Sequence, residues 1–279
     1  MQGADLWFAL FVNLKGIIMA IDLFSIGRFT VHGYGLMIGL GFIAAVLVGG
    51  YLAKSSHLSE NDFTNMAMLV LVIGFAGGKL LHMIVEFKTL LVDPMSVIGS
   101  EGFVVYGGIL TGIATIYVYC RVKKLKPLEY FDIFAAAVPL NQALGRIGCL
   151  LAGCCYGKET TSRFSLVFPE GSMAPAGVRL IPTQPIMAAG NFVFFIVITY
   201  VYLKKRSFAG ICTSLYLILY SVGRFVIEFF RNDYRGEIGI LSTSQFIAIF
   251  TFAAGVILFL KCRKDSPEAE DTARDIQGV

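Results

Sequence analysis

Apolar residues run through this chain in long blocks rather than at helical or strand periods. Four blocks carry no charged residue over 18 to 21 positions: Gly33–Ala53, Phe103–Cys120, Pro185–Leu203 and Ile240–Leu260. A bilayer core about 30 Å thick is crossed by roughly that length of helix, so each block predicts a membrane span. Three more blocks have span length but contain charge. These are Phe63–Phe87 with Lys79, His82 and Glu86, Phe131–Gly153 with Asp132 and Arg146, and Ala209–Phe230 with Arg224 and Glu228. The pattern predicts an all-α polytopic membrane protein of about seven transmembrane helices.

The segments between the blocks set the expected orientation. Lys54, then Arg121, Lys123, Lys124 and Lys126, then Lys204, Lys205 and Arg206, then Lys261, Arg263 and Lys264 all fall on one side of a seven-span layout. The positive-inside rule makes that side cytoplasmic, with the N-terminus outside and the C-terminus inside. Leu6–Ile26 is apolar but broken by Asn13, Lys15 and Asp22, and it has neither the basic start nor the cleavage site of a signal peptide. It predicts an interfacial helix, with an eighth span as the lesser option. Residues 158–183 hold Pro169, Gly171, Pro175 and Pro182, which marks a loop or small head outside the membrane rather than a span. The resulting organisation is an N-terminal interfacial arm over 1–30, a helical membrane domain over 31–260 and a disordered cytoplasmic tail over 261–279.

Composition agrees with this layout. Hydrophobic residues make up 56% and charged residues 15% of the 279 positions, and the mean hydropathy is +0.74. Soluble domains carry about 25% charge, so a water-soluble reading fails. The net charge of +4 is accounted for by the loops that set orientation, and nothing in it calls for a nucleic acid partner. The six cysteines form no disulfide framework of a small exposed domain. Cys149, Cys154 and Cys155 match none of the usual zinc spacings, so small packing residues are expected there, with a disulfide as the alternative, and neither metal nor cofactor is predicted.

The charges inside the spans carry the candidate chemistry. An Arg at the centre of a span costs about 2.5 to 3.5 kcal/mol, so it faces protein or water and has a task. Arg224, Glu228 and Arg231 share one helical face, one turn beyond Tyr220. Gln142, Arg146 and Gly153 share another, among glycines 145, 148, 153 and 157 that permit close backbone approach. Two readings stand. In one, the arginines pair with Glu228 and are structural. In the other, two arginines against one carboxylate leave positive charge for an anion, and the planar guanidinium suits the phosphate of a phospholipid. His82 in GGKLLH is a hydrogen-bonded structural residue or a proton carrier.

Several short motifs together resemble the prolipoprotein diacylglyceryl transferases of the bacterial cytoplasmic membrane. They are YGLMIG at Tyr34, GGKLLH at Gly77, YGGILTG at Tyr106, GRIGCLLAGCCYG at Gly145, IPTQP at Ile181, GRFVIEFFR at Gly223 and LSTSQ at Leu241. They occur in register from about Ile26 to Leu260. The resemblance implies transfer of a diacylglyceryl group from phosphatidylglycerol to the lipobox cysteine thiol of a preprolipoprotein signal peptide, releasing glycerol phosphate within a membrane lipid environment. It implies catalytic roles for Arg146, Arg224, Glu228, Tyr34 and Tyr106, and phospholipid binding by Arg146, Arg224, Gly157, Gln142 and His82.

The chain departs from the family pattern in places. Tyr106 stands where the family has a histidine, and a phenol with an ordinary pKa near 10 is a poor base. The family's Asn-x-x-Asn-x-Glu run becomes Cys149, Ala152 and Cys154, and in the loop motif the family's histidine is Ile181 and residues 185–187 differ as well. Two other readings therefore remain, a homologue with the same lipid donor and another acceptor, and a non-enzymatic transporter or receptor.

Overall fold

The computed structural model describes residues 22–26, 29–100, 102–232, 237–238 and 240–265. A short antiparallel hairpin, β1 (Asp22–Ile26) and β2 (Phe29–His32), leads into α1 (Gly33–Ser55). The chain continues through α2 (Glu60–Val85), the short α3 (Phe87–Val92) and α4 (Pro94–Ile98), then α5 (Val105–Val122) and α6 (Pro127–Ala152). Beyond a small head with β3 (Leu166–Val167) and β4 (Arg179–Leu180) come α7 (Thr183–Lys204) and α8 (Ile211–Glu228). The pair β5 (Glu237–Ile238) and β6 (Leu241–Ser242) precedes α9 (Thr243–Lys264).

Among the described residues, seven helices are long and apolar enough to cross a membrane: α1, α2, α5, α6, α7, α8 and α9. All seven predicted spans are found, with ends shifted by a few residues. Side chains such as Leu47, Val72 and Phe75 are 67–70% exposed on these helices, which suits lipid contact. The interfacial helix expected over Leu6–Ile26 falls outside the described residues up to Ile21. Its last five residues are strand β1 rather than helix, because they pair with β2. Of the tail expected over 261–279, Lys261–Lys264 belong to α9, and residues 266–279 lie outside the description.

The described residues form two compact units, one from those up to residue 47 together with those from 135 onward, and one from those between 48 and 134. In the second unit α2 and α5 pack through glycine. A Cβ on Gly107 would collide with the Gly77 carbonyl oxygen and the Leu81 side chain, and a Cβ on Gly78 would collide with the Phe103 ring. Gly74 and Gly108 face one another in the same seam. In lipid, helix association rests on such close van der Waals contact, so the glycines of GGKLLH and YGGILTG have a packing reason. Replacing Gly107 by Leu is expected to cost about 3 kcal/mol through overpacking. The check is the melting temperature in detergent, with Gly39→Ala as the control because no atom lies within 4 Å of its Cβ position.

Caps fix the helix ends. Ser59 accepts a hydrogen bond from the Asp62 backbone N–H at 3.1 Å, and Glu60 and Asp62 complement the dipole of the first turn of α2. LSTSQ is a capping box for α9: the Gln245 N–H donates to Ser242 Oγ at 3.2 Å, and the Ser242 N–H donates to Gln245 Oε1 at 3.1 Å.

Between α6 and α7 the chain builds a head rather than a structureless loop. Leu166 pairs with Leu180 and Val167 with Arg179, over a core of Phe168, Ala174 and Leu180. The head is tied to the end of α8, where Gly157 pairs with Arg231 and the Lys158 N–H donates to the Phe230 carbonyl at 2.8 Å.

Candidate active site

The first unit gathers Tyr34, Gln142, Arg146, Gly157, Arg224 and Glu228; Tyr106 and His82 belong to the second. In the first unit α1 approaches α6 closely. A Cβ on Gly148 would lie 3.2 Å from the Tyr34 carbonyl and from Met37 Cβ, and one on Gly41 would lie 2.5 Å from Asn141 Oδ1. Small residues at Gly41 and Gly148 thus set Tyr34 near the end of α6, and its phenol lies within electrostatic range of Arg146 and of Cys149, Cys154 and Cys155.

The two span arginines have different partners. Arg224 is buried, and its Nη2 stands 2.9 Å from Glu228 Oε2 and donates to Ser244 Oγ at 2.7 Å. The i, i+4 spacing brings the two charges together on α8, and the LSTSQ cap of α9 supplies the serine. The sequence left open whether Arg146 or Arg224 answers Glu228; it is Arg224. Arg146 is half-buried on α6, with Nη1 at 3.9 Å from Cys149 Sγ and 3.7 Å from Cys155 Sγ. Of the two span arginines, Arg224 is the one that engages the carboxylate, and the neighbours of Arg146 are the sulfurs of Cys149 and Cys155.

A third guanidinium joins this end of the unit. Sequence spacing placed Arg231 on the face of α8, but that helix ends at Glu228, and Arg231 is buried in the bridge to Gly157 with Nη1 at 3.9 Å from Met187 Sδ. Gly157 is needed here for space, since its Cβ would lie 2.5 Å from the Ile181 carbonyl oxygen. Its position at the bridge gives it a role in holding Arg231.

Immediately after α6 the chain reverses at Gly153, with φ +71°, and at Cys155, with φ +63°. A left-handed backbone is unusual at a residue with a Cβ, and it persists only where neighbours hold it. They do so here. Thr183 Oγ1 donates to the Cys155 carbonyl at 2.8 Å, Gln184 Nε2 donates to the Cys154 carbonyl at 2.9 Å, and the Cys154 N–H donates to the Cys149 carbonyl at 3.1 Å. Thr183 and Gln184 have no exposed surface. The IPTQP motif thus clamps the backbone of the CC turn. Hydrogen bonds from the Cys149 and Cys154 thiols push the Cys155 thiol well below its usual range, and the guanidiniums of Arg231 and Arg146 act in the same direction. Cys154 is pushed up by its hydrogen bonds to Cys149 and Cys155.

Gln142 Nε2 donates to Tyr216 Oη at 2.8 Å, and the Tyr216 ring stacks on Tyr220 with centroids 5.6 Å apart. Gln142 and these rings form a polar and aromatic layer between α6 and α8. In the second unit Tyr106 opens the first turn of α5 and is 40% exposed. His82 Nε2 stands 3.2 Å from Ser100 Oγ, while Lys79 Nζ donates to the carbonyls of Val97 at 3.0 Å and Ser100 at 2.7 Å. The Ser100 contact gives His82, on α2, a hydrogen-bonding partner in the turn before α5, as one of its two sequence readings expected.

Residues 22–261 match the family model for prolipoprotein diacylglyceryl transferase. A phosphatidylglycerol–prolipoprotein diacylglyceryl transferase 2 of Clostridium perfringens is 42% identical over 90% of this chain and 100% of its own length. The corresponding transferases of Clostridium tetani and Finegoldia magna are 39% and 33% identical, over 85% and 89% of this chain and 95% and 98% of their own.

Proposed function

Because the chain belongs to the prolipoprotein diacylglyceryl transferase family, we propose that it moves the diacylglyceryl group of phosphatidylglycerol to the lipobox cysteine thiol of preprolipoproteins. The observation that carries the site assignment is Arg146, whose guanidinium faces the CC turn while Glu228 is engaged by Arg224. In this reading the multi-pass protein lies in the bacterial cytoplasmic membrane, with the head on the outer side and the basic loops inside.

The reaction is a displacement at the glyceryl carbon bound to phosphate. The acceptor sulfur forms a carbon–sulfur bond, the carbon–oxygen bond breaks, and glycerol phosphate leaves with the electron pair. Charge grows on the departing phosphate, and a fixed guanidinium stabilises it more than it stabilises the intact diester. Arg146 supplies that charge. Arg224, held by Glu228 and Ser244, shapes the adjoining wall and adds a second positive group for the headgroup. Tyr34 offers a hydroxyl donor to the same anion. Gln142 and the Tyr216–Tyr220 layer flank the lipid, and Gly157 keeps the Arg231 bridge closed.

Expression in a host depleted of its own transferase tests the proposal. Growth should be restored, and mass spectrometry of a reporter lipoprotein should find diacylglycerol in thioether linkage to its first cysteine. A membrane-inserted protein that leaves the reporter unmodified, but labels another acceptor from phosphatidylglycerol, would favour the homologue with a different acceptor. The changed residues Tyr106, Cys149 and Cys154 are the sequence observation behind that second reading.

A further inference from the structure

The sulfurs of Cys149, Cys154 and Cys155 lie within 4.8 Å of one another, although their spacing along the chain matches no usual metal motif. All three are thiols rather than half-cystines. We infer that they form a three-thiolate zinc site whose fourth position receives the acceptor thiol. The inference rests on the transferase reading for its role, and on the geometry of the turn for its existence.

Zinc bound by sulfur has bonds of about 2.3 Å in a tetrahedron, which sets sulfur atoms about 3.8 Å apart. The three thiols need to close by no more than about 1 Å to reach that arrangement. The backbone that carries two of them is already fixed: Cys155 is held left-handed, and buried Thr183 and Gln184 hold the Cys155 and Cys154 carbonyls. Such outer contacts orient ligands in metal sites. Cys149 is buried, whereas Cys154 and Cys155 are partly exposed, so the cluster is reachable on the side of the turn. Three thiolates and a divalent ion leave one net negative charge. Arg146 beside Cys149 and Cys155 offsets it, donating to the sulfurs. Sulfur donors select zinc or copper(I); a three-coordinate copper(I) site would be closed, while zinc with three protein ligands keeps a position open.

The chemistry needs that position. The acceptor must react as a thiolate, and the family's histidine is replaced by Tyr106. A thiol that binds zinc gives up its proton. The acceptor thiol would lose its proton on taking the fourth position, and its sulfur electron pair would then form the bond to the glyceryl carbon. The carbon–oxygen pair leaves with glycerol phosphate, which accepts the proton. No oxidant or further reactant is required. The anion-binding Arg146 already touches two of the ligands, so the nucleophile and the leaving group meet at one place.

The full-length protein purified in detergent should contain one equivalent of zinc. Replacement by cobalt(II) should give thiolate-to-cobalt charge-transfer absorption, a signature that packing cysteines cannot produce and that needs no variant. The triple variant Cys149→Ser, Cys154→Ser, Cys155→Ser should lose the metal. Gln184→Ala should weaken zinc affinity by about tenfold or more. Strong chelation should abolish transfer to the reporter lipoprotein, and added zinc should restore it. Zinc and the cobalt spectrum in a chain that transfers nothing would support the site and overturn the transferase reading. Transfer at full rate by a chain without metal, or by the triple variant, would overturn the zinc site and leave the transferase reading in place.

Discussion

Arg146→Ala is expected to lower kcat for diacylglyceryl transfer by about 100- to 1,000-fold, the loss seen when one preorganised donor to a developing anion is removed. The expected signature is a fall in kcat and kcat/KM together, because the charge it meets exists mainly in the transition state. Arg146→Lys should recover only part of the rate, since an ammonium keeps the charge without the planar fork. The measurement is product formation on a reporter peptide at saturating phosphatidylglycerol, with insertion checked by fractionation. An Arg146→Ala protein with unchanged kcat would remove the phosphate role from this residue. The half-buried position of Arg146 makes the expected loss one of chemistry rather than of folding.

Glu228→Ala should act mainly on stability. It leaves the buried Arg224 guanidinium with Ser244 but without its carboxylate at 2.9 Å. Removing one member of a buried pair costs about 3 to 5 kcal/mol because the remaining charge is not compensated. The expected result is a large drop in melting temperature in detergent, and a partial return in the double variant Glu228→Ala, Arg224→Leu, which removes the stranded charge as well. A single variant as stable as the parent would show that Glu228 does not neutralise Arg224. Activity should fall in both variants, since Arg224 no longer stands in a fixed wall.

The spans were legible because lipid imposes one rule on a long stretch of chain: apolar length predicts helix. All seven helices begin and end within a few residues of the hydropathy blocks, Gly33–Ala53 for Gly33–Ser55 and Pro185–Leu203 for Thr183–Lys204 among them. Arg146, Arg224 and Glu228 were legible for the same reason, as costly charges that need a task. What the linear pattern missed depends on contacts between distant segments. Arg231 appeared to continue α8 by spacing, yet the strand bridge to Gly157 ends the helix first. Thr183 and Gln184 carry no signal for clamping a turn 28 and 30 positions earlier. The proximity of the three cysteine sulfurs is set by the left-handed backbone at Gly153 and Cys155, which spacing does not encode. Proline and glycine in residues 158–183 marked a loop correctly but could not announce its small core around Phe168.

The pairing of Arg224 with Glu228 lies within a single helix, and that bears on how the protein is made. Two charges that meet only after several helices have assembled must each enter the membrane alone, at the cost of a bare ion in lipid. A partner one turn away is present as soon as α8 coils, so the helix can partition into the bilayer with its charges already matched. Ser244 is supplied later, when α9 arrives. The entry of α6 differs: Arg146 has Cys149 one turn away on the same helix but no carboxylate at that distance, so its charge enters the bilayer beside a thiol rather than a matching anion.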